Sequence, residues 1–297
     1  MQLDCLIVGG GPAGLTAAIY LGRYRRKVLL IDNGASRAAK IPKTHNYPGF
    51  IDGVSGAELL RLLHEQSKIY GAEISQGSVV KIAPYQRGFS LMTEKGSVTA
   101  SRVLLATGLK DRVPEMPTLT EATSEAFVRY CPICDAYEAI DRKIAVYGSL
   151  PDASAKALFL RTYSPDITLL PLDERQDATS RRELECAQIA IAEAPPSHFE
   201  AVERGLVVHL KNGTRLVFDV LYPSLGCEVH STLATNLGAR TNDIGCLLVN
   251  DKQETSVAGI YAAGDVVSDL HQISVAASHA CVAATAIHRS LPKNYRS

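Results

Sequence analysis

Short apolar runs alternate along the chain with segments whose apolar residues recur every three to four positions, the pattern of buried strands followed by helices. Leu3-Asp4-Cys5-Leu6-Ile7-Val8 predicts a parallel strand, Leu15 to Tyr24 a helix, and Lys27 to Ile31 a second strand. Ala57 to Tyr70 carries Leu59, Leu60, Leu63 and Ile69 at helical spacing. Ser78 to Ile82 and Phe89 to Thr93 predict strands of a meander, and Val98 to Leu105 an apolar strand. The strand-turn-helix pattern starts again at Lys143 to Tyr147, with a helix over Ser154 to Tyr163 and a strand over Asp166 to Leu170. A stretch rich in charge and proline follows to about Pro196. Asn212-Gly213 sits in a predicted hairpin between Leu206 to Leu210 and Leu216 to Phe218. Val257 to Asp265 reads as a strand closing on Gly-Asp, and Ser274 to Leu291 as a helix rich in small residues.

The first turn gives this pattern a chemistry. Gly9-x-Gly11-x-x-Gly14 lies between a strand and a helix, and Asp32 ends the next strand eighteen residues beyond Gly14. That is the dinucleotide-binding arrangement. Gly9 allows the tight turn, Gly11 lets a pyrophosphate approach the backbone, and Gly14 lets helix and strand pack closely. Pro12 and Ala13 belong to this turn, and the N-terminus of the helix that follows it faces the negative charge. Asp32 is placed to hold the adenosine ribose. Ala106-Thr107-Gly108 is a small-residue turn that allows backbone to pass close to a ligand. Taken alone, His45-Asn46-Tyr47-Pro48-Gly49-Phe50 reads as a proline-glycine turn.

Composition narrows the classes. The chain has 297 residues, 46% of them apolar, which suggests one large or two ordinary domains. Lys and Arg total 31 against 31 Asp and Glu, so charge gives no reason to propose nucleic acid. No apolar run reaches membrane-spanning length. Leu3 to Leu21 is fairly apolar, but a glycine cluster interrupts it and no basic region leads it, so it reads as strand, turn and helix and not as a signal peptide. The seven cysteines are an odd count and mostly scattered, which fits a reduced, cytoplasmic setting with one redox-active pair.

That pair is Cys131-Pro132-Ile133-Cys134, with Asp135 beside it. A C-x-x-C dithiol near a helix start has one thiol pKa lowered and is a two-electron redox couple. Asp135 is the candidate acid/base for the thiol proton. Zinc would need two further ligands at suitable spacing, and no second C-x-x-C or His pair is evident, so no metal is expected. Proline punctuates 113–117, where the chain is expected to cross between domains.

Together, GGGPAG at 9–14, NYPG at 46–49, ATG at 106–108, CPIC-Asp at 131–135 and GIYAAGD at 259–265 resemble the low-molecular-weight thioredoxin reductases. The resemblance covers essentially the whole chain. It implies an α/β fold of two Rossmann-like, three-layer nucleotide-binding domains. Residues 1–113 and 245–297 would form an FAD-binding domain, and 114–244 a second domain carrying the redox motif. It implies that Gly9 to Gly14 hold the FAD pyrophosphate, that Asp32 and Asn33 lie at the ribose, and that Asn46, Thr107 and Gly108 lie near the flavin. Gly264 and Asp265 would reach the ribityl chain. His271, Gln272 and Ile273 precede or open the last helix, where the family has an Arg-Gln pair. The family's glycines in that helix are Ser278 and Ala280 here. Cys134 would face the flavin and Cys131 an external partner: a thioredoxin-like protein, another dithiol or disulfide protein, or a small thiol. A homodimer is implied as well.

The second turn departs from the family. Gly-x-Gly-x-x-Ala is expected there for NADPH, and the chain has Gly148-x-Leu150-x-x-Ala153. A leucine at the centre is expected to occupy the place of the pyrophosphate. Pro171-Leu172-Asp173-Glu174 stands where the family sets a basic cluster on the 2′-phosphate. NADPH use is therefore not expected. Of two NADPH-independent relatives, one ferredoxin-linked and one a cyanobacterial class with two flavins, the chain looks most like the second. That likeness implies a second FAD per chain, with Tyr137, His271, His279 and Tyr295 as candidates to hold it, and flow from thiols to flavin. The alternatives are an NADPH- or ferredoxin-dependent reductase and a non-catalytic flavin redox sensor.

Overall fold

Residues 3–113, 127–173, 177–267 and 270–296 are described by a computed structural model; the proline-punctuated crossing from residue 114 onward and Glu174 lie outside them. The chain forms two compact units, one of Met1–Lys110 with Glu228–Ser297, the other of Asp111–Cys227. The expected boundary of the middle segment is residue 244. In the structure residues 228–244 pack with the outer unit, because Leu233, Ala234, Leu237 and Ala239 join the core of its main sheet.

In the outer unit, β1 (Leu3–Val8), β2 (Val28–Asp32), β3 (Glu73–Gln76), β4 (Val79–Tyr85), β5 (Gly88–Thr93) and β6 (Gly96–Leu105) form a sheet in the order β3-β2-β1-β6-β5-β4. The chain then leaves along β7 (Leu109–Asp111). β1 is buried on both faces, which is why it reads as one apolar run and not as an alternation. Cys5 and Ile7 join one core cluster, Leu6 and Val8 the other. The first cluster lies under α1 (Pro12–Arg23), with Leu60 and Leu63 of α2 (Gly56–Ile69) packed against it.

The first helix in the described part of the middle unit is the short α3 (Pro132–Asp135). Its parallel sheet runs β10-β9-β8-β14, from β8 (Ile144–Gly148), β9 (Ile167–Pro171), β10 (Ala190–Ile191) and β14 (Val220–Ser224). α4 (Leu150–Leu160) follows β8, and α5 (Ala178–Cys186) lies within the charge-rich stretch. β11 (Pro196–Val202), β12 (Gly205–Leu210) and β13 (Arg215–Phe218) form an antiparallel sheet that contains the expected hairpin. β15 (Cys227–Val229) pairs with β7 where the chain returns. After it come α6 (Thr232–Thr235), β16 (Ile260–Ala262) beside β6, and α7 (Ile273–Ser290). Ala276, Ala280, Ala283 and Ala284 of α7 are buried in the same cluster as Ala17, Ala18 and Leu21 of α1. Small side chains let these helices approach closely.

Register sets the position of the site. Val8 is level with Ile31 and with Leu105, and Leu105 with Ala262. Four parallel strands therefore end together. The turns at 9–14, 32–33, 106–108 and 263–265 leave the same edge of the sheet, where open α/β sheets bind their ligands.

Candidate functional site

The glycine turn is a cradle with no room for side chains. A Cβ on Gly9 would lie 2.3 Å from the Ala106 carbonyl oxygen, and one on Gly14 would fall on the Gly9 carbonyl. Gly9 also holds φ +108°, which favours glycine. The sequence reading passed over Gly10, yet a Cβ there would meet the Asp32 carboxylate at 2.4 Å, and its N–H donates to Asp32 Oδ1 at 3.1 Å. Gly11 is the N-cap of α1, with Pro12 in the first turn, no side-chain cap and no acid. The first-turn N–H groups and the positive end of the helix thus face the turn with no side-chain cap and no acid from the helix itself. A cleft of about 270 Å³ opens beside Asp32, with Leu15 and Leu60 among its apolar walls and Arg61 and His64 among its polar ones. Asn33 is spent locally, since its Oδ1 accepts from the Ala35 N–H.

The same edge collects the other expected residues. Asp265 lies 3.4 Å from Arg37, a partner that no sequence signal had marked. Asn46 donates to Gln272 Oε1 at 2.9 Å, joining two residues 226 positions apart. Thr107 donates to the His230 carbonyl at 2.6 Å, and the His230 N–H donates to Gly108. Gly264 holds φ +79°, and a Cβ on it would lie 3.0 Å from Cβ of Ala13. Among the described residues, the buried nitrogens His271 Nε2 and His279 Nδ1 have no hydrogen-bond partner. Burial holds His279 below the usual histidine range, with the Asp265 charge opposing. Ile273 opens α7. Tyr295 stands exposed in the last residues.

These features fit FAD. A Cβ-free cradle, an uncapped helix terminus, a ribose acid and a cleft beside it suit an adenosine pyrophosphate. Buried nitrogens without partners are polar groups that a ligand would satisfy.

In the middle unit, Cys131 and Cys134 are closed as a disulfide, with Cα atoms 5.3 Å apart. Cys131 is the N-cap of α3, and the Cys134 N–H donates to its carbonyl. Ile133 and Tyr137 beside the pair are exposed. Burial pushes Asp135 up to about 6, against the hydroxyl of Tyr222 and the charges of Arg129 and Lys156; Glu138 adds to the rise. Tyr222 donates to Asp135 Oδ1 at 2.8 Å, and Arg129 to the Asp135 carbonyl at 2.7 Å. Among the described residues no group of three or more His, Cys, Asp or Glu is placed to hold a metal ion, and no helix is long and apolar enough to cross a membrane.

The second turn differs from its sequence reading in an instructive way. Leu150 does not project outward. It is buried with Val146, Ala153 and Ala157, and α4 starts there, four residues before the expected Ser154. Ser149 begins the helix early by capping it. Its hydroxyl accepts from the Asp152 N–H and donates to the Asp152 carboxylate at 2.6 Å. Pro151 contributes no N–H. The N-terminus of α4 therefore carries its own cap and its own negative charge, and that of α1 carries neither.

Fold and site together define a flavin-dependent disulfide oxidoreductase of the thioredoxin reductase-like class. The chain belongs to the pyridine nucleotide-disulphide oxidoreductase family, which it matches over residues 3–280. It is 31% identical to a thioredoxin reductase of Pneumocystis carinii, over 98% of this chain and 96% of that protein. Among solved structures it is similar to a thioredoxin reductase of Streptococcus pyogenes, with TM-score 0.89, 27% identity and 97% of each chain covered. It is also similar to an atypical thioredoxin reductase of Desulfovibrio vulgaris Hildenborough, with TM-score 0.55, 26% identity, and 99% of this chain and 100% of that one covered.

Proposed function

We propose that the chain exchanges two electrons between the Cys131–Cys134 pair and FAD in the outer unit, without drawing them from NADPH. The observation that carries this is the contrast between the two helix termini. α1 offers an anion open N–H groups. α4 meets one with Asp152, already bonded to Ser149, and with a proline. Asp173, in place of a basic cluster, adds to the mismatch with a 2′-phosphate. Family membership is what favours the rival, a nicotinamide-dependent reductase.

The chemistry assigned to this chain's residues is limited. Oxidation of the dithiol to the disulfide releases two electrons and two protons. FAD, when bound, supplies the two-electron acceptor or donor. The Asp135 carboxylate, held near pH 6, takes or gives one thiol proton. Cys134 is the cysteine that serves the flavin, and Cys131 the one that serves the external thiol. Exposed Ile133 and Tyr137 support access by a partner at this segment. That partner is a thioredoxin-like protein, another dithiol protein or a small thiol, and electrons run from it toward the flavin. The ring nitrogens His271 Nε2 and His279 Nδ1, buried and without a partner among the described residues, support a second FAD per chain. We further assign the chain to a cytoplasmic homodimer.

The test is reduction of the purified flavoprotein by a dithiol under anaerobic conditions, with flavin counted per chain. Wild type should be reduced, and Cys131→Ser and Cys134→Ser should not. Equal reduction of both variants would refute the dithiol route in favour of a flavin sensor. A count of one flavin would remove the second FAD.

A further inference from the structure

The proton-handling carboxylate has a partner that neither the motif nor the family match assigns. Tyr222 lies on β14, level with Val146 of β8, and the neighbouring Leu221 is bonded to Phe127 and Arg129. Its ring is fully buried in the cluster that contains Ala136, Ala139, Val146 and Leu150. A ring fixed in that way has one place to put its hydroxyl, and the hydroxyl donates to Asp135 Oδ1 at 2.8 Å. The next residue anchors the strand to the redox segment. The Pro223 carbonyl accepts from Lys156 Nζ at 2.6 Å, and the same ammonium donates to the Tyr130 carbonyl beside Cys131. We propose that Tyr222 is the positioning residue of the Asp135 carboxylate: it holds Oδ1 from the core side and leaves Oδ2 to exchange a proton with the dithiol.

This rests on the reading of Asp135 as the thiol acid/base. The proton step balances simply: the thiol S–H bond breaks, an O–H bond forms on Asp135, and the negative charge moves to sulfur. A hydroxyl that donates to the carboxylate favours its ionised form. The groups that face Asp135 are Tyr222, Arg129, Glu138 and Lys156. Tyr222, Arg129 and Lys156 favour the carboxylate, and burial and Glu138 oppose it. Without the hydroxyl the balance tips toward the neutral acid.

Tyr222→Phe keeps the ring and removes the donor. The readout is the pH dependence of iodoacetamide alkylation of the reduced protein, which reports the thiols and does not need turnover. The alkylation step linked to Asp135 should move up by about one pH unit, a tenfold change in acidity, the scale of one hydrogen bond to a charged group. Asp135→Asn should abolish the step, and adding Tyr222→Phe to it should change nothing more. If Asp135→Asn leaves the profile intact, the acid/base reading itself fails. If Asp135→Asn abolishes the step but the Tyr222→Phe profile superimposes on wild type, only the positioning role of Tyr222 is overturned. The infrared band of the protonated carboxyl, followed against pH in the same variants, gives a second readout with the same expected shift.

Discussion

Gly10→Ala separates the role of the turn from its geometry. Gly10 is not among the residues with positive φ, so its backbone accepts alanine without strain. The new methyl would nevertheless sit 2.4 Å from both Cγ and Oδ2 of Asp32. Ordinary carbon contacts lie near ~3.5 Å, so the carboxylate must withdraw by about 1 Å. That movement breaks the 3.1 Å bond from the Gly10 N–H and carries the acid away from the ribose position. A bond to a charged group contributes about 1.5–3 kcal/mol, so FAD affinity should fall roughly tenfold to a hundredfold. The assay is fluorescence titration of apoprotein with FAD, with circular dichroism to confirm the fold. Because the effect acts through Asp32, Gly10→Ala added to Asp32→Ala should cost nothing further. Additive losses in the double variant, or affinity within about twofold of wild type in the single, would refute the reasoning.

Two further predictions concern buried charge. Asp135 is pushed from an ordinary 3.8 to about 6, so the folded protein holds that proton more tightly than the unfolded chain. The stability this gives is present below the unfolded value and is lost as pH rises through about 6, on the order of 3 kcal/mol. Asp135→Asn should flatten that part of the denaturant stability profile between acid and neutral pH; an unchanged slope would contradict the burial argument. Arg26 is buried and donates to His288 Nδ1, the His288 carbonyl and the Pro292 carbonyl, tying the end of α7 to the end of α1. Arg26→Ala should cost about 3 kcal/mol, read from the denaturation midpoint, and should loosen hydrogen exchange after Leu291.

What the sequence made legible was contiguous. The first strand, glycine turn and helix could be read because two-face burial produces an unbroken apolar run and because the turn residues are adjacent. Pairings across the sheet edge were not legible. Asn46 and Gln272 were expected separately, but nothing local in the sequence links two residues 226 positions apart. Arg37 carried no signal for Asp265. Tyr222 was hidden because Pro223 argues against a buried strand, yet the structure places both on β14, between β8 and the 127–129 segment that bonds to Leu221. α5 was missed because only Ser180 and Leu184 are buried on an otherwise charged helix. Leu150 does not stand out from the turn as an obstacle but lies in the core. Helical periodicity could not show that Ser149 starts the helix early and turns Leu150 into the core.

The source of the electrons separates a dithiol-fed flavoprotein from a nicotinamide-fed one. The direct measurement is the visible flavin absorbance of the oxidised protein after anaerobic mixing with NADPH, with NADH and with a dithiol in parallel. The self-capped terminus of α4 predicts that the dithiol bleaches the flavin and that neither nicotinamide does so on the timescale of turnover. Rapid bleaching by NADPH would contradict it.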